Sequence, residues 1–121
     1  MKVLIVDDNE QARRMIKHYL REFSDEFREC VDGADALEAY AEFLPDWVLM
    51  DVELPLMDGI AAARQITDED SQARVVMLTN HTDARLRQAA REAGACGYVL
   101  KENLFDLLDI LRTDVLEKTG E

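Results

Sequence analysis

Cationic residues are scarce in this chain: 14 Lys and Arg stand against 26 Asp and Glu over 121 residues, a formal net charge of −12. With no run of Lys or Arg to offset it, that balance repels phosphate backbones and anionic lipids, so direct nucleic-acid or membrane binding is excluded as the chain's own function. Cysteine is nearly absent. Cys30 and Cys96 lie far apart, with no Cys or His at ligand spacing, which excludes a disulfide scaffold and reads as two buried packing thiols in a reducing compartment. Long apolar runs are missing too. The stretch before Asp7 and Asp8 spans only residues 3–6, too short for a signal-peptide core or a membrane span, and the expected location is cytoplasmic. With 2 Pro, 5 Gly and no repeat or low-complexity tract, residues 1–121 are expected to form one domain, with 118–121 as the start of a linker or a frayed tail. A chain of this size buries roughly two-thirds of its unfolded surface, and 48% apolar residues suffice for a core.

What is present is an alternation. Short apolar runs at 2–6, 47–50, 75–78 and 97–100 read as strands buried on both faces, and 27–31 alternates as an edge strand would. Between them lie helical stripes. Ala12, Met15, Ile16, Tyr19, Leu20 and Phe23 follow a capping Asn9, and Leu37, Tyr40, Ala41 and Leu44 precede Pro45. Further stripes run through Ile60, Ala63 and Ile66, then Leu86, Ala89, Ala90 and Ala93, then Leu104, Leu107, Leu108, Leu111 and Val115. A β-α unit repeated about five times predicts a doubly wound α/β fold of the flavodoxin-like kind, a five-stranded parallel sheet with helices on both faces. Its functional crevice lies beyond the carboxyl ends of the strands, where strand order reverses.

The residues that follow the central apolar runs are Asp7 and Asp8, Asp51, Thr79 and Lys101. Each alone has an ordinary explanation as a cap, a turn former or a solvated charge. Jointly, five prescribed types at five prescribed positions have chance odds on the order of 10⁻⁵ at average composition. Two carboxylates about 4 Å apart repel by roughly 4 kcal/mol at an effective dielectric of 20, so crowded acids require a cation or a proton. Mg²⁺ suits Asp7, Asp8 and Asp51, because it takes one or two carboxylates with waters and phosphate oxygens, whereas Ca²⁺ wants more ligands. His18 and His81 lack Cys partners or a histidine companion at a suitable interval, which argues against zinc. Lys101 offers a point charge and Thr79 a hydroxyl donor, the groups that hold phosphoryl oxygens. Asp51, at the end of a central strand, is the preferred nucleophile toward phosphorus, with Asp7 and Asp8 better placed to share a metal.

The sequence resembles the receiver domain of two-component response regulators over nearly its whole length. The matching stretches are Val3-Leu-Ile-Val-Asp-Asp8, Leu49-Met-Asp-Val-Glu-Leu-Pro-Leu-Met-Asp-Gly59, Val76-Met-Leu-Thr79 and Ala93-Gly-Ala-Cys-Gly-Tyr-Val-Leu-Lys101. The resemblance implies phosphoryl transfer from a sensor histidine kinase or phosphotransfer protein to Asp51, with Mg²⁺ held by Asp7, Asp8, Asp51 and the backbone carbonyl of Glu53. It also implies that Thr79 moves toward the phosphoryl group and Tyr98 swings inward, remodelling the face of the fourth helix, fifth strand and last helix for a partner or a homodimer. The stretch from Gly94 to Lys101 looks most like receivers that precede a helix-turn-helix DNA-binding module, the LuxR/NarL-type subclass, and the output is a partner, a second copy or an attached DNA-binding domain, with the chain either a stand-alone receiver or one excised from a longer protein.

Several positions depart from the family pattern. Asn80 stands where a smaller residue is usual and narrows the approach to phosphorus. Glu53 and His81, two residues beyond Asp51 and Thr79, occupy positions that vary in the family and can influence the lifetime of the acyl phosphate; a solvated loop role is the favoured reading, and positioning or excluding the hydrolytic water is the hypothesis set against it. Lys101 is followed by Glu102 rather than proline. Pro55 and Gly59 shape the wall beside Asp51, or serve only as turn former and helix starter. The competing function is a docking or dimerisation module that works without phosphate. An aspartate-dependent phosphatase lacks its second aspartate two residues after Asp51, and a flavin protein would want Gly, Ser or Thr where Asp7-Asp-Asn-Glu10 stands.

Overall fold

Five short apolar segments each form a strand: β1 (Lys2–Val6), β2 (Glu26–Cys30), β3 (Trp47–Asp51), β4 (Val75–Thr79) and β5 (Gly97–Leu100). Alternating with them are α1 (Glu10–Tyr19), α2 (Ala36–Phe43), α3 (Gly59–Glu69), α4 (Ala84–Glu92) and, after a 3₁₀ turn at Lys101–Asn103, α5 (Phe105–Thr119). The computed structural model describes residues 1–119, with side chains through Thr113. Val115 in the α5 stripe and the linker expected at 118–121 therefore lie outside the described side chains.

All strand pairs are parallel, in the order β2-β1-β3-β4-β5. The chain turns one way from β1 to β2 and the other way from β3 onward, which forces helices onto both faces and opens a crevice between the β1 and β3 carboxyl ends. Alternate strand residues sort the core into two layers. Val3, Ile5, Leu49, Val76 and Leu78 pack with Ile16, Leu20, Leu104, Leu107 and Leu111 of the α1 and α5 regions. Leu4, Val6, Val48, Met50, Val75 and Met77 face α2, α3 and α4, which meet them largely through Ala36, Ala39, Ala62, Ala63, Ala90 and Ala93. Asn9, Asp58 and Asp83 start α1, α3 and α4 by accepting from the N–H groups of Ala12, Ala61 and Arg85 at 2.8–2.9 Å.

The structure corrects several expectations. β5 is an edge strand rather than a doubly covered one, and only Val99 in it is fully buried. β2 is shifted one residue toward the N-terminus relative to the expected 27–31, ending at Cys30 and leaving Val31 outside the strand and 49% exposed. In α2 the buried face is Ala36 and Ala39, while Ala41 and Leu44 are exposed. Pro45 bars the preceding residue from continuing the helix, and Leu44 ends it at φ 53° with its side chain in solvent. Met15 is also exposed, because it falls at the margin of the α1 stripe. Cys30 is buried, but Cys96 is exposed: it enters the edge strand, donating its N–H to the Val75 carbonyl.

One glycine ties the fold to the crevice. A Cβ at Gly59 would stand 1.8 Å from the Asp51 carbonyl oxygen, so the first turn of α3 can approach the end of β3 only without a side chain. The Gly59 N–H donates to the Val52 carbonyl at 2.9 Å and locks that approach. Gly59→Ala is expected to cost about 1–3 kcal/mol by overpacking, read as a lower urea midpoint with unchanged slope; an unchanged midpoint would contradict this packing.

Candidate functional site

Register carries the site. Val6 pairs with Met50, so the next residues, Asp7 and Asp51, emerge side by side at the crevice. Asp51 pairs with Leu78, and Thr79 with Leu100, which brings Thr79 and Lys101 to the same rim. Asp51 and Thr79 belong to their strands rather than following them, so both are fixed by the sheet ladder. Asp7, Asp51 and Thr79 are buried, Lys101 is half-buried and Asp8 is exposed.

Oxygen atoms of Asp7, Asp8 and Asp51 lie within 4.8 Å of one another. The Lys101 ammonium is wedged among them, 2.7 Å from Asp7 Oδ2 and 3.2 Å from Asp51 Oδ2. Backbone N–H groups hold the remaining oxygens: Asn9 donates to Asp7 Oδ1 at 2.9 Å and Glu53 to Asp51 Oδ1 at 3.2 Å. Burial drives the Asp51 carboxyl above the ordinary aspartate range; Lys101 pulls it back in part, and Asp7 adds to the rise. Burial works against the Lys101 charge as well, but the Asp7 and Asp51 carboxylates outweigh it and hold its pKa above the usual lysine value. Three carboxyl groups thus face one ammonium beside an open cleft of about 650 Å³.

Oxygens opposite each other on one Mg²⁺ ion lie about 4.2 Å apart, given its metal–oxygen distance near 2.1 Å. The 4.8 Å spread of the three carboxylates thus fits such an ion after a small side-chain closure, and the all-oxygen donor set suits it.

Glu53, Asn80 and His81 line the mouth of the cleft. His81 does more than its sequence position announces. Its imidazole Nε2 meets a Glu53 carboxylate oxygen across the opening. Its N–H donates to Thr79 Oγ1 at 3.1 Å, and its carbonyl accepts from the Tyr98 hydroxyl at 3.2 Å. Pro55 lines the same wall, and the neighbouring Leu56 takes φ 66° with 88% of its surface exposed.

Three supporting residues escaped the sequence reading: Arg13, Lys17 and Arg87. Arg13 Nη1 donates to the Asp7 carbonyl at 2.8 Å while its Nε pairs with Glu29 at 2.9 Å, fixing the β1 end against β2. Lys17 joins the same carboxylate at 3.0 Å. Burial raises the Glu29 pKa, but Lys17 and Arg13 outweigh it and bring it below the ordinary value. The four-residue spacing of Arg13 and Lys17 was the available signal. The third residue is Arg87, whose guanidinium carbon lies 4.9 Å from the Tyr98 ring centroid.

The response regulator receiver domain family matches the chain over residues 3–112. The chain belongs to this family. It is 40% identical over 101 residues to the chemotaxis protein CheY of Bacillus subtilis, covering 83% of this chain and 84% of that one. It is 36% identical over 103 residues to the transcriptional activator protein ExaE of Pseudomonas putida, covering 84% of this chain but 48% of that one. A solved LuxR-family two-component response regulator from Aurantimonas superposes with a TM-score of 0.78 at 32% identity, covering 91% of this chain and 83% of that one. The relatives thus include both CheY-type and LuxR-type proteins, and the chain spans about half of the longer transcriptional activator. Receiver domains are phosphorylation-activated switches of two-component signalling that bind Mg²⁺ at an acidic pocket and interact with histidine kinases or phosphotransfer proteins. Among the described residues, no helix of this one is long and apolar enough to cross a membrane.

An acid whose folded pKa lies above its unfolded value stabilises the fold below that unfolded value, and the contribution is lost as pH rises through the folded pKa. The ionised Asp51 is therefore a net cost to the fold at neutral pH. Asp51→Asn is expected to raise the urea midpoint at pH 7 without divalent cations, with the gain shrinking as pH falls through the raised Asp51 range toward the ordinary carboxylate range and absent below it. A variant no more stable than the parent at pH 7 would contradict this electrostatic picture.

Proposed function

We propose that Asp51 is the phosphoryl acceptor of this receiver, supplied by a sensor histidine kinase or a phosphotransfer protein. The observation that carries the reading is the placement of Asp51 at the end of β3, one oxygen held by the Glu53 N–H and the other beside Lys101, both at 3.2 Å, with the open cleft in front. A carboxylate oxygen attacks phosphorus, the bond from phosphorus to the donor's histidine nitrogen breaks, and the nitrogen leaves with its electron pair. Lys101 neutralises charge on the transferring oxygens, and the Thr79 hydroxyl donates to one of them. Asp7, Asp8, Asp51 and the Glu53 carbonyl would hold Mg²⁺, which supplies charge neutralisation for the incoming phosphoryl group. Thr79 and Tyr98 form the switch, linked through the two backbone groups of His81.

Asn80, Glu53 and His81 tune the result. The contact between Glu53 and His81 spans the cleft mouth and controls the approach of hydrolytic water to the acyl phosphate. The output is a change in the face of α4, β5 and α5, read by a partner, by a homodimer, or by a DNA-binding domain elsewhere in a longer protein. The nucleic acid is then contacted by that domain and not by this acidic one. A cytoplasmic location belongs to the same reading.

Incubation with acetyl phosphate and Mg²⁺ is expected to add one phosphoryl group by intact mass, and Asp51→Asn or omission of Mg²⁺ to abolish it. Lys101→Ala should slow labelling by about 10²–10³-fold, the usual loss for one preorganised donor. No mass gain in the parent would favour a docking module that works without phosphate. Glu53→Ala and His81→Ala should each change the half-life of phosphate loss; unchanged decay in both would remove the water-control role.

A further inference from the structure

The switch tyrosine is held from two sides. Its hydroxyl donates to the His81 carbonyl at 3.2 Å, and the face of its ring is covered by the Arg87 guanidinium of α4, 4.9 Å from the ring centroid. Arg87 and Arg91, one helical turn apart, line a groove with Ala90, Ala95 and Tyr98, and no acidic side chain lines it. In a chain with a net charge of −12, the Tyr98 ring is thus offered a cation. Like charges at this spacing repel, so Arg91 offers Arg87 no partner, while the electron-rich ring face attracts it.

We propose that Arg87 is a positioning residue for Tyr98, and that through Tyr98 it sets how well Thr79 can hold a phosphoryl group. The contacts form one continuous path. Arg87 stacks on Tyr98, Tyr98 donates to the carbonyl of residue 81, and the N–H of that same residue donates to Thr79 Oγ1 at 3.1 Å. A hydroxyl that already accepts one hydrogen bond keeps its own proton for a second partner, and Thr79 lines the cleft in front of Asp51. Fixing residue 81 therefore aims the Thr79 proton into the cleft. Arg87 acts entirely through this path, on the helix that faces any partner of the α4–β5 surface. By linkage, a partner carboxylate that drew Arg87 off the ring would weaken phosphoryl retention, and phosphorylation would weaken that pairing by the same factor.

The effect on phosphorylation rests on the reading of Asp51 as acceptor; the position of Tyr98 does not. The test measures both in the full chain. Tyr98 χ1 populations come from three-bond couplings in isotopically labelled protein, and phosphoryl content from intact mass at sub-saturating acetyl phosphate with Mg²⁺. An exposed cation–π contact biases a two-state equilibrium by roughly two- to fivefold. Arg87→Gln is expected to shift the Tyr98 rotamer ratio by that factor and to lower labelling two- to fivefold, with Arg87→Lys between it and the parent and Tyr19 and Tyr40 unmoved. Rotamer populations unchanged in Arg87→Gln would overturn the positioning role whether or not the parent takes label. A shifted rotamer ratio with undiminished labelling would overturn the link to Thr79. A parent that takes no label while Arg87→Gln still moves Tyr98 would instead sink the acceptor role of Asp51, and with it the link.

Discussion

Three carboxylates brought to one rim repel one another, and the structure of this chain is arranged around that cost. Asp7, Asp8 and Asp51 share a space 4.8 Å across, two of them buried. One ammonium, from Lys101, is wedged between the buried pair. It lowers the repulsion without cancelling it, and the remaining negative charge sits beside an open cleft rather than in the core. A fully neutralised cluster would have no use for a dication or for a phosphoryl group's counter-ion. A cluster with no lysine would hold its acids only by protonating them.

The sheet makes this crowding possible. Hydrogen-bond register fixes which strand ends lie side by side, and the reversal of strand order between β1 and β3 keeps a helix from covering them. The backbone then finishes the placement. The Asn9 and Glu53 N–H groups hold one oxygen each of Asp7 and Asp51, Arg13 ties the Asp7 carbonyl to Glu29, and Gly59 lets α3 close on the Asp51 carbonyl. The site is set by rigid elements, while Glu53, Asn80 and His81, which line the cleft, stand on the loops around it.

Much of this was legible in the residues alone. Val3 to Val6 and Val75 to Leu78 are covered on both faces and read as continuous apolar runs, so the strands and the residues at their ends could be placed, and Asn9 capped α1 where expected. The apolar runs place Asp51 and Thr79 just after their strands, because apolar periodicity stops at the last side chain in the core although the backbone ladder continues one residue further. The α2 stripe misleads for a related reason. Leu37, Tyr40, Ala41 and Leu44 keep a helical period, but the rotation of a helix against the sheet is set by which residues are small enough to pack, here Ala36 and Ala39. Polar links such as Arg13 to Asp7 and Arg87 to Tyr98 join a helix to the strand next to it in the chain through single side chains, which apolar periodicity does not register.

The account stands on one covalent event at one carboxyl group. Borohydride reduction of an aspartyl phosphate yields homoserine at the modified position, so treating the chain with acetyl phosphate and Mg²⁺, reducing it and sequencing its peptides by mass spectrometry locates the acceptor directly. Homoserine at position 51 and at no other aspartate is the predicted result. Homoserine at position 7 or 8, or its absence throughout, would contradict the account.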